Sequence, residues 1–198
     1  MNNQDKIILD LCGGTGAWSK PYANAGYRVL NITLPDYDVR EYVPCEEILP
    51  NIYGILAAPP CTMFSLARTR AKKPRDFAEG MEIVVACLEI IWAVRCDHAL
   101  KFWALENPMG YLRQFLGKPA FTFDPCDFGD AYTKKTDLWG YFNLLKINPI
   151  GLTPQEKYLC LQNNRQLPSI SDITGNKQSA RRAITPLGFA KAFYKANK

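Results

Sequence analysis

Hydrophobic positions arrive in short continuous blocks separated by polar turns rich in glycine and proline, and that spacing predicts the elements. The segment KIILDLCGGTGAWSKPYANAGYRVLNIT (Lys6 to Thr33) runs from an apolar block ending at Asp10, through a glycine-rich turn and a helical stretch, to Gly26 and a second apolar block, Tyr27 to Thr33. This is strand, turn, helix, strand: a βαβ unit. YGILAAPP (Tyr53 to Pro60) predicts a third strand. From Asp76 to Cys96, apolar residues at Ile83, Val84, Cys87, Ile90 and Ile91 follow the spacing of one long helix. KFWALENP (Lys101 to Pro108) is short and continuously apolar, as a parallel strand covered on both faces should be. Beyond it, AFTFDPCDFG (Ala120 to Gly129) and TDLWGYFNLL (Thr136 to Leu145) predict two more strands, partly antiparallel, and the unpatterned CLQNNRQLPSISDITGNKQ (Cys160 to Gln178) reads as loop. TPLGFAKAFYKANK closes as a helix with Thr185 as cap and Pro186 at its first position.

Strands alternating with helices define an α/β class with a mostly parallel central sheet flanked by helices, Rossmann-like in kind. The 198 residues show no internal repeat and no linker, so one domain, residues 1–198, is expected. The opening residues lack the basic n-region and apolar run of a signal peptide, and no stretch approaches a membrane span. A cytoplasmic protein with no membrane partner is the expectation. Seven scattered cysteines with no C-x-x-C pair, and one histidine, His98, indicate neither a disulfide framework nor a structural metal site. Most of these thiols are expected to be small buried hydrophobes, Cys87 and Cys12 above all. A net charge of +5 permits a polyanionic partner, and the excess sits in three runs: Ala67 to Arg75, Tyr132 to Lys135 and Ser179 to Arg182.

In open α/β sheets ligands bind outside the carboxyl ends of the strands. DLCGGTG, PPC and ENP fall at three such ends. The turn Gly13-Gly14-Thr15-Gly16 lets backbone approach a nucleotide-like ligand, yet it has neither the third glycine nor the lysine of pyrophosphate-gripping loops. S-adenosylmethionine is the common candidate for such a turn. Cys61 follows two prolines that stop the strand, with Arg68 and Arg70 close behind; nearby cations favour the nucleophilic thiolate. Glu106 ends an apolar strand, where a carboxyl group is costly unless hydrogen-bonded or protonated, and a proton donor to substrate would account for it.

Together these motifs resemble the cytosine-C5 DNA methyltransferases, whose pattern is an aspartate with a glycine-rich turn, then Pro-Pro-Cys with a serine four residues after the cysteine, then Glu-Asn. Here they stand in that order as DLCGGTG, PPCTMFS and ENP, and TPLGFAKAFYKAN looks like the family's last helix, which returns to the cofactor pocket. The resemblance implies the Rossmann-like fold of S-adenosylmethionine-dependent methyltransferases, S-adenosylmethionine as cofactor and DNA as partner. It implies that Cys61 adds to C6 of a flipped cytosine while Glu106 protonates N3, which activates C5 for methylation. Carried over by motif, cofactor contacts fall to Asp10, Cys12, Gly13, Gly14, Thr15, Gly16, Asp38 and Pro59, and substrate contacts to Ser65, Asn107, Lys134 and Lys135. Departures are Thr62 where the family has glutamine, Pro108 where it has valine, and Lys134 or Lys135 in place of its arginines. The stretch from Asn143 to Arg182 is too short for the family's target-recognition domain, so the resemblance is to a minimal, phage-type member. The same chemistry on a free pyrimidine nucleotide or on RNA, and a noncatalytic nucleic-acid-binding subunit, are the alternative readings.

Overall fold

The computed structural model describes residues 2–69, 71–98, 100–149, 152–161, 167–170 and 179–198. Among them lie six strands: β1 (Ile7–Leu11), β2 (Arg28–Ile32), β3 (Ile52–Ala57), β4 (Phe102–Pro108), β5 (Phe121–Phe123) and β6 (Thr136–Tyr141). The helices are α1 (Lys20–Asn24), α2 (Phe77–Asp97), α3 (Arg113–Leu116), α4 (Pro154–Leu161), α5 (Ser179–Ala183) and α6 (Leu187–Ala196). The strands form one sheet in the order β2-β1-β3-β4-β6-β5. β1 to β4 pair in parallel, while β6 runs antiparallel to both β4 and β5. The expected α/β sheet with an antiparallel end is therefore what forms.

Strand side chains alternate between faces, and each face has its own cover. Ile7, Leu9 and Leu11 of β1 join Ile55 and Leu105 in a core closed by Val84, Cys87, Ile91 and Val94 of α2. Ile8, Leu56, Phe102 and Leu138 point to the other face, against Trp18, Tyr22, Phe189 and Phe193. Burial on both sides is why β1, β3 and β4 are continuously apolar. The Asp76 carboxylate caps α2, accepting from the Glu79 amide at 3.0 Å.

Several expectations change. Residues 120–129 give only a three-residue strand, then the short 3-10 turn Pro125–Phe128, because Pro125 has no amide proton to extend the ladder. At the last helix Pro186, not Thr185, is the N-cap: its backbone is extended and its carbonyl accepts from the Ala190 amide at 3.0 Å. Of the stretch read as loop, Cys160 lies in α4 and Ser169 bridges Thr133, and residues 162–166 and 171–178 lie outside the described residues. Cys126 and Cys160, both buried, are joined in a disulfide, and Cys45 and Cys96 are exposed. No spacing in the sequence marks the first pair, since the fold brings it together across 34 residues. Cys87 is fully buried as expected, and Cys12 only partly. No helix of the described residues is long and apolar enough to cross a membrane.

Candidate active site

The chain leaves β1 for β2 on one side and later enters β3 on the other, so the strand order switches between β1 and β3. A crevice opens at such a switch, between the loops at the strands' carboxyl ends. The loop after β1 bends in an unusual way: Cys12 (φ 56), Gly14 (φ 53) and Gly16 (φ 69) all take left-handed conformations. That costs little at glycine and more at Cys12. The bend is held by the Asn31 side-chain amide donating to the Gly14 carbonyl at 3.0 Å and the Gly14 amide donating to the Thr33 hydroxyl at 3.2 Å. Asp10 lies buried directly beneath, and a Cβ on Gly13 would collide with its carboxylate. The Ser19 hydroxyl donates to Asp10 Oδ2 at 2.5 Å, whereas Oδ1 is buried with no partner among the described residues. Burial pushes the Asp10 carboxyl up to about 6, opposed by the hydrogen bonds from Ser19. Beside it, the Cys87 thiol hydrogen-bonds to Cys12 and draws the Cys12 thiol below its ordinary range.

The loop after β3 carries Cys61 and is clamped from three directions. The Asn107 side-chain amide donates to the Pro59 carbonyl at 2.9 Å, both groups being buried. After Cys61 the chain turns sharply, with the Phe64 and Ser65 amides donating to the Cys61 carbonyl at 3.0 and 2.8 Å. Arg75 donates to the carbonyls of Met63 and Ser65, each at 2.8 Å, and stacks on the Tyr111 ring. Arg75 belongs to the basic run Ala67 to Arg75, and here it serves the loop's own carbonyls. Arg68, expected beside the thiol, instead donates to the Lys73 carbonyl, and Arg70 lies outside the described residues.

The cations near Cys61 come from further along the chain. Glu106 sits on β4 opposite Leu138, and the Lys134 ammonium lies 3.8 Å from its Oε1, both side chains being mostly buried. Lys134 owes its place to Asp124, whose buried carboxylate accepts the Lys134 amide at 3.0 Å. Lys135 is exposed and meets the fold through its carbonyl, which accepts from the Met109 amide at 2.8 Å. Burial pushes the Cys61 thiol above its ordinary range; Lys134 and Arg182 pull it down, and Glu106 pushes it up. With burial the largest of these effects, the balance favours the thiol over the thiolate.

These groups share one cavity of about 530 Å³. Of the residues singled out in the sequence it is lined by Asp10, Cys12, Gly13, Gly14, Thr15, Pro59, Cys61, Glu106 and Lys134. Gly16, Asp38, Ser65, Asn107 and Lys135 do not line it. Asp38 is gripped by the Arg40 guanidinium, which holds its carboxyl down at about 2, although its charge reaches Cys12 at the cavity's edge. Ser65 bridges Gly110, and Asn107 braces the loop from behind. Trp18, Arg182 and Thr185 line the cavity and were not assigned from the sequence. Trp18 follows the glycine turn and buries an indole nitrogen with no partner among the described residues, while Arg182 was visible only as a member of a basic run. A larger cavity of about 630 Å³ runs along α6 past Lys146, Lys191 and Lys195, and no cysteine of the described residues lines it.

No protein-family model matches the sequence, and no curated protein matches it. Among solved structures, it is similar to a triple mutant of Spodoptera frugiperda DNMT2, at 14% identity and a TM-score of 0.43, over 75% of this chain and 52% of that one. The chain thus spans about half the length of that protein.

Proposed function

We propose that this chain transfers a methyl group from S-adenosylmethionine to C5 of cytosine in DNA, through a covalent adduct between Cys61 and C6. One observation carries the reading: the wall with Cys61 and Glu106 and the wall with the glycine turn over Asp10 belong to the same cavity. The residues present fit the cofactor. Asp10 Oδ1 is a buried acceptor without a partner, suited to an ammonium group, and the absence of a side chain at Gly13 leaves that carboxylate approachable. Bound there, S-adenosylmethionine supplies an electrophilic methyl group.

The chain's own groups do the rest. Cytosine C5 is a poor nucleophile until C6 carries a sulfur and N3 a proton; once C5 is methylated, its proton passes to water and the C6–S bond breaks, which restores the ring and returns Cys61. Cys61 supplies the sulfur as thiolate, with Lys134 and Arg182 favouring that form against burial. Glu106 holds the proton at N3, and Lys134 beside it steadies the carboxylate that remains. Asn107 and Arg75 keep the Cys61 loop fixed, so that little order has to be created when the base arrives. The target base must leave its stack to reach this depth.

The test is incubation with tritium-labelled S-adenosylmethionine and DNA, digestion and nucleoside analysis, with Cys61→Ala in parallel. Label in 5-methylcytosine that disappears in the variant is the expected outcome. Label in RNA or in free nucleotides but not in DNA moves the acceptor, and transfer that survives Cys61→Ala removes the covalent mechanism.

A further inference from the structure

We infer that Arg182 is an anion-recognition residue that binds a phosphate of the acceptor beside the target base, so that the substrate enters as a nucleotide unit and not as a free base or nucleoside. This rests on the acceptor chemistry proposed above. Among the described residues, four charged side chains line the cavity: Asp10, Glu106, Lys134 and Arg182. Three of them have partners, Asp10 in the Ser19 hydroxyl and Glu106 and Lys134 in each other. Arg182 makes no ion pair among the described residues. A guanidinium held on a half-buried wall without a counter-ion is compensated when an anion arrives.

The distribution of charge says which anion. Cys12, on the glycine-turn side, feels the carboxylates of Asp38 and Asp10, while Cys61, on the other, feels the two cations Lys134 and Arg182 against the carboxylate of Glu106. The cavity is acidic where the cofactor's ammonium would sit and basic where the target base would sit. A phosphate flanking that base meets the basic end, and the planar fork of arginine matches two of its oxygens. Arg182 reaches the wall from the last turn of α5, just before the cavity-lining Thr185 and the N-cap of α6. Its place is therefore set by the chain's end and not by the loop that holds Cys61.

The experiment compares the full chain with Arg182→Ala and Arg182→Lys. A fluorescein-labelled, single-stranded oligonucleotide containing one cytosine is titrated by anisotropy across a salt series, and S-adenosylmethionine alone by calorimetry. Arg182→Ala is expected to weaken oligonucleotide binding by about 10–100-fold, the range for a charged hydrogen-bond partner. It should also lower the log–log salt slope by about one, with affinity for S-adenosylmethionine unchanged. Arg182→Lys should restore the salt slope and only part of the affinity. Unchanged oligonucleotide binding overturns the inference. So does weaker binding of S-adenosylmethionine alone, which would make the anion the cofactor's carboxylate. If the wild type binds the oligonucleotide in this way yet transfers no methyl group, the proposed reaction falls while the phosphate site stands.

Discussion

At the scale of single residues, Asp10 stores the largest tension in the site. It is fully buried, accepts one hydrogen bond and titrates near 6 against a usual 3.8. A folded-state value raised above the unfolded one means that the fold favours the protonated form. The associated stability is complete below about pH 4 and is lost as pH rises through 6, a swing of about 3 kcal/mol. Asp10→Asn keeps the shape without the charge. Its urea midpoint is expected to exceed that of the wild type at pH 8 and to coincide with it at pH 4. Calorimetry should show binding of S-adenosylmethionine lost at both, because an amide is a poorer partner for an ammonium group. Equal destabilisation at the two pH values would show that the carboxyl group is structural and not held in reserve for a ligand.

At the scale of elements, the segment from Cys61 to Arg75 behaves as one clamped unit. Arg75 closes it by satisfying the Met63 and Ser65 carbonyls, and the bridge between Ser65 and Gly110 ties it to the end of β4. Removing a charged donor from two partly buried acceptors costs about 1–3 kcal/mol. Arg75→Ala should therefore speed amide hydrogen exchange at Phe64 and Ser65 and lower kcat, with affinity for S-adenosylmethionine intact because the β1 turn is a separate element. Exchange confined to its wild-type rate would return Arg75 to the solvated face that its neighbours suggest. The same unit shows what the sequence does and does not disclose. Cys61 and Glu106 were legible because both stand at the carboxyl ends of apolar strands, where side chains meet ligands. Asn107 was assigned to substrate, yet neighbouring strand residues face opposite ways, so with Glu106 turned to the cavity its neighbour serves the scaffold. Between Lys134 and Lys135 no local rule chooses; Asp124, ten residues earlier, does. Asp38 lies off the cavity's lining, its carboxylate paired with Arg40 two residues on.

At the scale of the whole molecule, the last helix returns to the first βα unit, which hydrophobic spacing does not foretell and only the likeness of TPLGFAKAFYKAN to a helix that returns to the cofactor pocket suggested. The α/β alternation was readable because hydrophobic blocks record burial element by element, whereas Arg182 and Thr185 reach the cavity only because α6 docks on α1. That docking is specific. Phe193 packs against Trp18, Phe102 and Phe142 with ring centroids 5.3, 5.7 and 5.7 Å apart, and the Tyr22 hydroxyl donates to the Asn197 carbonyl at 3.2 Å. The Asn143 amide donates to Asn197 Oδ1 at 2.8 Å, tying the stretch after β6 to the same end. Deleting a buried phenylalanine ring costs about 3–5 kcal/mol, a large share of the stability of an ordinary domain. Phe193→Ala is expected to lower the free energy of the entire unfolding transition by that amount, read as a lower urea midpoint at unchanged slope, with far-UV and tryptophan signals moving together because Trp18 shares the contact. If the helix were a loosely held appendage, the cost would fall below about 1 kcal/mol and the tryptophan signal would change ahead of the backbone signal. Coincident transitions would instead show that the last helix and the first βα unit fold as one cooperative body, and that the cation at the end of α5 is held by the fold's own stability.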